Sequence, residues 1–273
     1  DTGLVFRGQS AAGPTRMPAL VEHVVDTRLA TTLGTGLNGH RFQVGTVEHL
    51  LSALSGLGVD NALIDVEGPE VPVMDGSAAD FVALFTDTGI VEQDAARIYM
   101  VITEEVSVGD LDRHITLSPA KAFSIRCQID HNHPLICSKP FEYTHSAEAF
   151  TQELAFARTF GLLKDVEWMR DNGLAKGGSL HNALVIDEHA VVNPDGFRVS
   201  NECVRHKTLD AIGDLALCGH PIRGHLDMLR PGHCLNVELV RKLLATPTAY
   251  ELTPMAEAIG KASSLRVDLS LPA

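Results

Sequence analysis

The chain has no apolar run approaching the roughly 18 to 20 residues that span a bilayer, and its first residues lack the basic, apolar and small-residue succession of a secretory signal. Membrane insertion and export are not expected, and the reading is a soluble, cytoplasmic protein. Also missing is any C-x-x-C spacing. Cys127, Cys137, Cys203, Cys218 and Cys234 are scattered and odd in number, which argues against both a disulfide framework and a thiolate zinc site. Basic residues are scarce: 22 Lys and Arg stand against 35 Asp and Glu, giving a net charge of −13. Such a surface repels polyanions, so nucleic acid is not an expected partner. An anionic small molecule would need a local concentration of Lys or Arg. No internal repeat or low-complexity tract is visible.

What is present is a chain of 273 residues, long enough for one large domain or two small ones. Gly34-Thr35-Gly36 and Asn38-Gly39 mark turns before a helix with Thr46 as its expected N-cap, along which Leu50, Leu51, Leu54 and Leu57 recur at helical spacing. A strand is expected from Asn61 to Val66, then a turn-rich loop to Gly76 and a helix opened by a Ser77/Asp80 capping box. A polar linker at 92–97 precedes strand-like segments at 98–108, 115–117 and 123–129. Helices are expected at 147–158, 165–172, 202–218 and 234–244, with strands at 183–187 and 222–229 and a loosely held tail past Pro254. The alternation supports an α+β protein of two units, 1–93 and 98–245, with 246–273 as a C-terminal tail.

Thirteen histidines invite a search for constellations, because a single histidine is usually a surface or packing residue. In V-R-H-K-T-L-D-A-I-G-D (204 to 214), His206 and Asp210 are four residues apart and share a helical face that Asp214 continues. Two such side chains can close on one metal ion, although an ordinary polar helix face has the same pattern. In G-T-V-E-H-L-L (45 to 51), Glu48 and His49 fall in a helix's first turn, where the orphan amides and dipole favour an ionised carboxylate. A glutamate beside a ligand histidine can take a proton from water, and an acidic first turn also occurs without function. His233 follows a turn, where loops present catalytic or merely solvated side chains.

Read together, T-V-E-H-L-L-S-A-L-S-G-L-G-V-D-N (46 to 61), P-V-M-D-G-S-A (72 to 78), A-R-T-F-G (157 to 161) and V-R-H-K-T-L-D-A-I-G-D (204 to 214) resemble the UDP-3-O-acyl-N-acetylglucosamine deacetylases, zinc enzymes of lipid A biosynthesis in Gram-negative bacteria. The resemblance runs to about Leu244. It implies two layered α/β sandwich domains packed face to face with the active site between them, and an inserted unit at about 161–192, with Trp168, Met169, Leu174 and Leu180, forming a passage for the acyl chain. His49, His206 and Asp210 would be the metal ligands, for zinc or for iron, which a His/His/Asp set also accepts. Glu48 would be the general base, Thr159 an oxyanion donor, and His233, held by Asp214, the cationic acid. Lys207, Phe160 and His131 would meet the substrate, His131 standing where many relatives carry an aromatic residue against uracil. The substrate would be an acylated UDP-N-acetylglucosamine and the enzyme a monomer without stable membrane insertion. Relatives begin earlier, so the first domain is expected to lack its first strands and a substrate-facing loop. Two alternatives stay open at this point: a shortened homologue that binds metal or acylated UDP-sugar without turnover, and a metal hydrolase acting on another acetylated sugar.

Overall fold

A computed structural model describes residues 2–10, 13–35, 42–130, 133–136, 139–166, 177–254 and 263–266. Its frame is two five-stranded mixed sheets, each covered on one face by helices. In the first sheet, β1 (Leu4–Ser10) and β2 (Gly13–Pro18) form an antiparallel hairpin, and β1 runs parallel to β6 (Val59–Asp65). A small three-stranded sheet of β3 (Val24–Asp26), β4 (Thr32–Thr35) and β5 (Phe42–Val44) lies between the hairpin and the first helix in sequence. That helix, α1 (Glu48–Gly56), packs on β6 and on α2 (Ala79–Thr88).

The second sheet shows why alternating sequence makes a half-buried strand. Its members are β9 (Val106–Gly109), β10 (His114–Ser118), β11 (Ser124–Gln128), β12 (Phe141–Thr144) and β16 (His225–Leu229). Register sets Ile115 opposite Met228 and Leu117 opposite Leu226, while Ile125 and Cys127 meet Leu226 and Met228 from the other side. All six are fully buried, because residues two apart share a face; each such side chain contributes about 1.5–3 kcal/mol where it is an aliphatic residue of that size. Helix α4 (Glu202–Leu215) packs on β11, and α5 (His233–Leu244) on β9 and β10. The helix layers face each other, α1 against α4. This is the α+β, two-domain arrangement that the sequence led us to expect.

Several local expectations are corrected. Thr46 is not a cap: it takes a left-handed φ of 55°, and α1 begins at Glu48 after Val47 with no side-chain cap. The Ser77/Asp80 box is replaced by a relay in which Asp75 accepts from the Ser77 amide and hydroxyl while Ser77 Oγ accepts from the Ala79 amide. The helix expected over 147–158 comprises α3 (Ala147–Ala149) and a π-helical turn (Phe150–Leu154), beyond which the chain extends to deliver Arg158 to Glu202. The strand expected over 98–108 is divided into β8 (Ile98–Ile102) and β9, in different sheets. Gly224 likewise divides 222–229, β15 (Ile222–Arg223) joining β8 and β16 the second sheet. The expected tail contributes two strands, β17 (Tyr250–Pro254) antiparallel to β8 and β18 (Ser263–Arg266) parallel to β6. Most of the helix expected over 165–172 lies outside the described residues.

Candidate active site

The site forms where α1 and α4 press together. Gly213 makes this possible: a Cβ there would lie 2.0 Å from the Glu48 carbonyl oxygen, so only glycine admits the approach. Four residues earlier, Ser52 Oγ donates to the Leu209 carbonyl at 2.8 Å and closes the same contact from the α1 side. The first turn of α1 thereby faces the row His206, Asp210 and Asp214 of α4, spaced by four and aligned on one face.

His49 Nε2 and His206 Nε2 converge on Asp210 Oδ1 at 3.6 and 3.2 Å, and all three side chains are at least 95% buried. The imidazole rings meet edge to face with centroids 5.0 Å apart. His206 Nδ1 donates to the Ala157 carbonyl at 3.0 Å, which leaves its Nε2 lone pair directed at the cluster. Burial, opposed by Asp210, holds the His206 pKa at about 3, so this ring is neutral. Burial disfavours the Asp210 carboxylate, but the Lys207 ammonium, which donates to its Oδ2, outweighs it and keeps the group ionised. Among the described residues, Asp210 Oδ1 is a buried acceptor with no hydrogen-bond donor. Such an atom is costly unless something cationic completes it. These three donors, each able to offer one ligand atom with all within 4.8 Å of one another, fit a divalent cation with a position left open, as catalytic sites require.

Beside the triad lie two further buried ionisable side chains, Glu48 and His233. Glu48, buried in α1, accepts the Thr31 amide on Oε2 at 3.0 Å and turns Oε1 toward His233 Nε2 at 3.9 Å. Burial raises the Glu48 pKa, against the lowering influence of His233 and His49. His233 opens α5, and its Nδ1 donates to Asp214 Oδ2 at 2.8 Å. Burial opposes its charge, but Asp214 by charge and hydrogen bond, with help from Glu48 and Asp210, raises its pKa to about 9. Both Asp214 oxygens are engaged: Asn236 Nδ2 also donates to Oδ2 at 2.8 Å, and the Thr31 hydroxyl donates to Oδ1 at 2.6 Å.

A third wall comes from the A-R-T-F-G segment. Arg158, 4% exposed, bonds Glu202 through Nε at 2.8 Å, Asp195 at 2.8 Å and the Gly196 carbonyl at 2.7 Å, pinning the segment to the start of α4. Thr159 next to it donates its amide to the Gly76 carbonyl and accepts from the Leu184 amide, both at 2.7 Å. The Phe160 ring lies edge-on to His206 at 6.4 Å, with Lys207 Nζ 5.6 Å from its centroid. Lys207, expected to face substrate, donates to Asp210 Oδ2 at 2.8 Å.

Glu48, His49, His206, Lys207, Asp210, Asp214 and His233 are thus one cluster, with Phe160 on its edge. His131, Trp168, Met169 and Leu174 lie outside the described residues. Within the expected acyl-passage unit, a cavity of about 270 Å³ is lined by His133, Leu162, Leu163, Lys164, Ile186 and Asp187, among others. Sequence reasoning missed Thr31, Asn236 and Arg158. Asn236 carried a signal, since it stands three residues after His233 and so shares its helical face; nothing in the run around Thr31 distinguished it.

Three convergent ligand atoms beside a buried carboxylate and a cationic imidazole, seated between two α+β halves, define a metal-assisted hydrolytic centre. The chain belongs to the LpxC family, described as UDP-3-O-acyl N-acetylglycosamine deacetylase, whose profile it matches over residues 1–245. It is 50% identical over 252 residues to the UDP-3-O-acyl-N-acetylglucosamine deacetylase of Myxococcus xanthus, covering 92% of this chain and 79% of the relative. It is 46% identical over 259 residues to the enzyme of that name from Acidithiobacillus ferrooxidans, covering 94% and 84%.

Proposed function

We propose that this protein hydrolyses the N-acetyl group of UDP-3-O-(3-hydroxyacyl)-N-acetylglucosamine, giving acetate and the UDP-3-O-acyl-glucosamine used in lipid A biosynthesis. The observation that carries the reading is the convergence of His49, His206 and Asp210 within reach of both Glu48 and the His233–Asp214 pair. An amide is a poor electrophile with a poor leaving group, so its hydrolysis needs an activated water, oxyanion stabilisation and an acid for nitrogen.

His49, His206 and Asp210 would hold Zn²⁺, or Fe²⁺ in its place, which when bound acidifies a water and polarises the acetamide carbonyl. Glu48 takes a proton from the attacking water, and burial makes it a stronger base than an exposed glutamate. Thr159 stabilises the carbonyl oxygen as it gains charge. His233, kept cationic by Asp214, donates its Nε2 proton to the nitrogen as the C–N bond breaks. Lys207 and Phe160 meet the sugar or phosphate region, His131 the uracil, and the segment at 161–192 the acyl chain. Residues 1–93 and 98–245 are the two domains, and the enzyme acts as a cytoplasmic monomer. Among the described residues no helix is long and apolar enough to cross a membrane.

The test is acetate release from the acylated UDP-sugar by the wild type and Glu48→Ala. Glu48→Ala should keep about one metal per chain and lose at least about 100-fold in kcat. Full turnover in that variant would refute the assigned base, and a wild type that binds the nucleotide without releasing acetate would favour a non-catalytic binder.

A further inference from the structure

We propose that Thr31 is a positioning residue for this reaction, tying the general base and the acid's partner to one point of the backbone. The inference rests on the deacetylase reading of the site. Thr31 is fully buried in the connection between β3 and β4, and each of its three polar groups is committed to the site or its supporting helix. Its amide donates to Glu48 Oε2 at 3.0 Å and its hydroxyl to Asp214 Oδ1 at 2.6 Å. Its carbonyl accepts from the Val47 amide at 3.2 Å, immediately before α1 begins. Threonines within helices behave differently: the hydroxyls of Thr88, Thr151 and Thr208 turn back to carbonyls four residues earlier. The Thr31 hydroxyl instead reaches a residue 183 positions away in sequence.

The consequence is orientational. A carboxylate held through one oxygen can pivot, whereas Asp214 is gripped on Oδ1 by Thr31 and on Oδ2 by His233 and Asn236, which fixes its plane and hence the aim of the His233 ring. On Glu48, the amide bond to Oε2 leaves Oε1 as the oxygen facing His233 Nε2 at 3.9 Å. The β-branched side chain of threonine has few χ1 choices, so the hydroxyl is preset for Asp214. Thr31 therefore sets the distance between proton acceptor and proton donor without touching substrate itself.

The test compares full-length, metal-loaded Thr31→Val, Thr31→Ala and Thr31→Ser with the wild type by acetate release. Valine keeps the shape and the amide but lacks the hydroxyl. We expect Thr31→Val and Thr31→Ala to lose about 10- to 100-fold in kcat, as is typical when a partner of a catalytic group is removed. KM and metal per chain should stay within about twofold, and Thr31→Ser should recover kcat to within a few-fold of wild type. A Val variant within about threefold of wild-type kcat, a loss confined to KM or metal content, or a serine variant no better than alanine would each overturn the proposal. Should valine fail to fold, alanine and serine decide, and failure of both Val and Ala to fold would make Thr31 a folding residue instead. No acetate from the wild type would overturn the deacetylase reading and this proposal with it; turnover by wild type beside an unimpaired Val variant would overturn the role of Thr31 alone.

Discussion

Replacing Gly213 by alanine should force apart the two helices that carry the proposed metal ligands. On helix propensity alone alanine is favoured there by about 1 kcal/mol, so a destabilising result cannot come from the helix itself. The added Cβ would lie 2.0 Å from the Glu48 carbonyl oxygen, 2.8 Å from its carbon and 3.1 Å from its Cα, where ordinary contact begins near 3.4 Å. All three are backbone atoms, so no side chain can rotate aside, and α1 must retreat from α4 by on the order of an ångström. Overpacking of this kind costs about 1–3 kcal/mol, occasionally more, and at about 2–4 °C per kcal/mol for a chain of this size the melting temperature should fall by several degrees. The effect on metal should be larger in proportion. Ligand distances hold only within about 0.2 Å, and the retreat separates His49 from His206 and Asp210. Metal affinity, measured by competition with a chromophoric chelator, should drop at least about tenfold. An alanine variant with unchanged melting temperature and unchanged affinity would refute the account of how the triad is assembled.

Two further outcomes follow from buried charge. Glu202→Ala strands Arg158, 4% exposed and with, among the described residues, only the outlying Asp195 left as counter-charge, and should cost about 3–5 kcal/mol by denaturant unfolding; a loss under about 1 kcal/mol would contradict the pinning role given to this pair. His145 is held neutral, first by burial and then by the Arg97 cation, with its pKa lowered to about 4. The unfolded chain binds a proton to it near pH 6.5, so its contribution is present above that pH and is lost as pH falls from about 6.5 toward 4, by at most about 3 kcal/mol. His145→Gln should therefore flatten the fall in denaturant midpoint between pH 7 and pH 4.5, and equal slopes for the two proteins would be the contrary result.

The sequence made the faces of the proposed ligands legible because helical spacing is a local property: His206, Asp210 and Asp214 line up from their separations alone, and Glu48 and His49 fall together in one turn. What brings these two sets together was hidden. Gly213 reads in isolation as a defect in a helix, and only the Glu48 carbonyl packed against it explains the residue. The same holds for Thr46 and for the Ser77/Asp80 pair, whose local capping signals gave way to a left-handed turn and an Asp75 relay. The helix expected through Arg158 is shortened because its end is drawn to Glu202, 44 residues away. Strand β17 escaped notice because Tyr250–Pro254 pairs with a strand about 150 positions earlier, a partnership that no local pattern encodes. Thr31 was illegible for the same reason, since its importance lies entirely in partners from other elements.

The most direct measurement is a metal titration of chelator-stripped protein, read by acetate release from the acylated UDP-sugar. Turnover should be absent in the stripped protein and return fully with about one equivalent of Zn²⁺ per chain. Undiminished turnover by metal-free protein would contradict the reading of His49, His206 and Asp210 as the centre of the reaction.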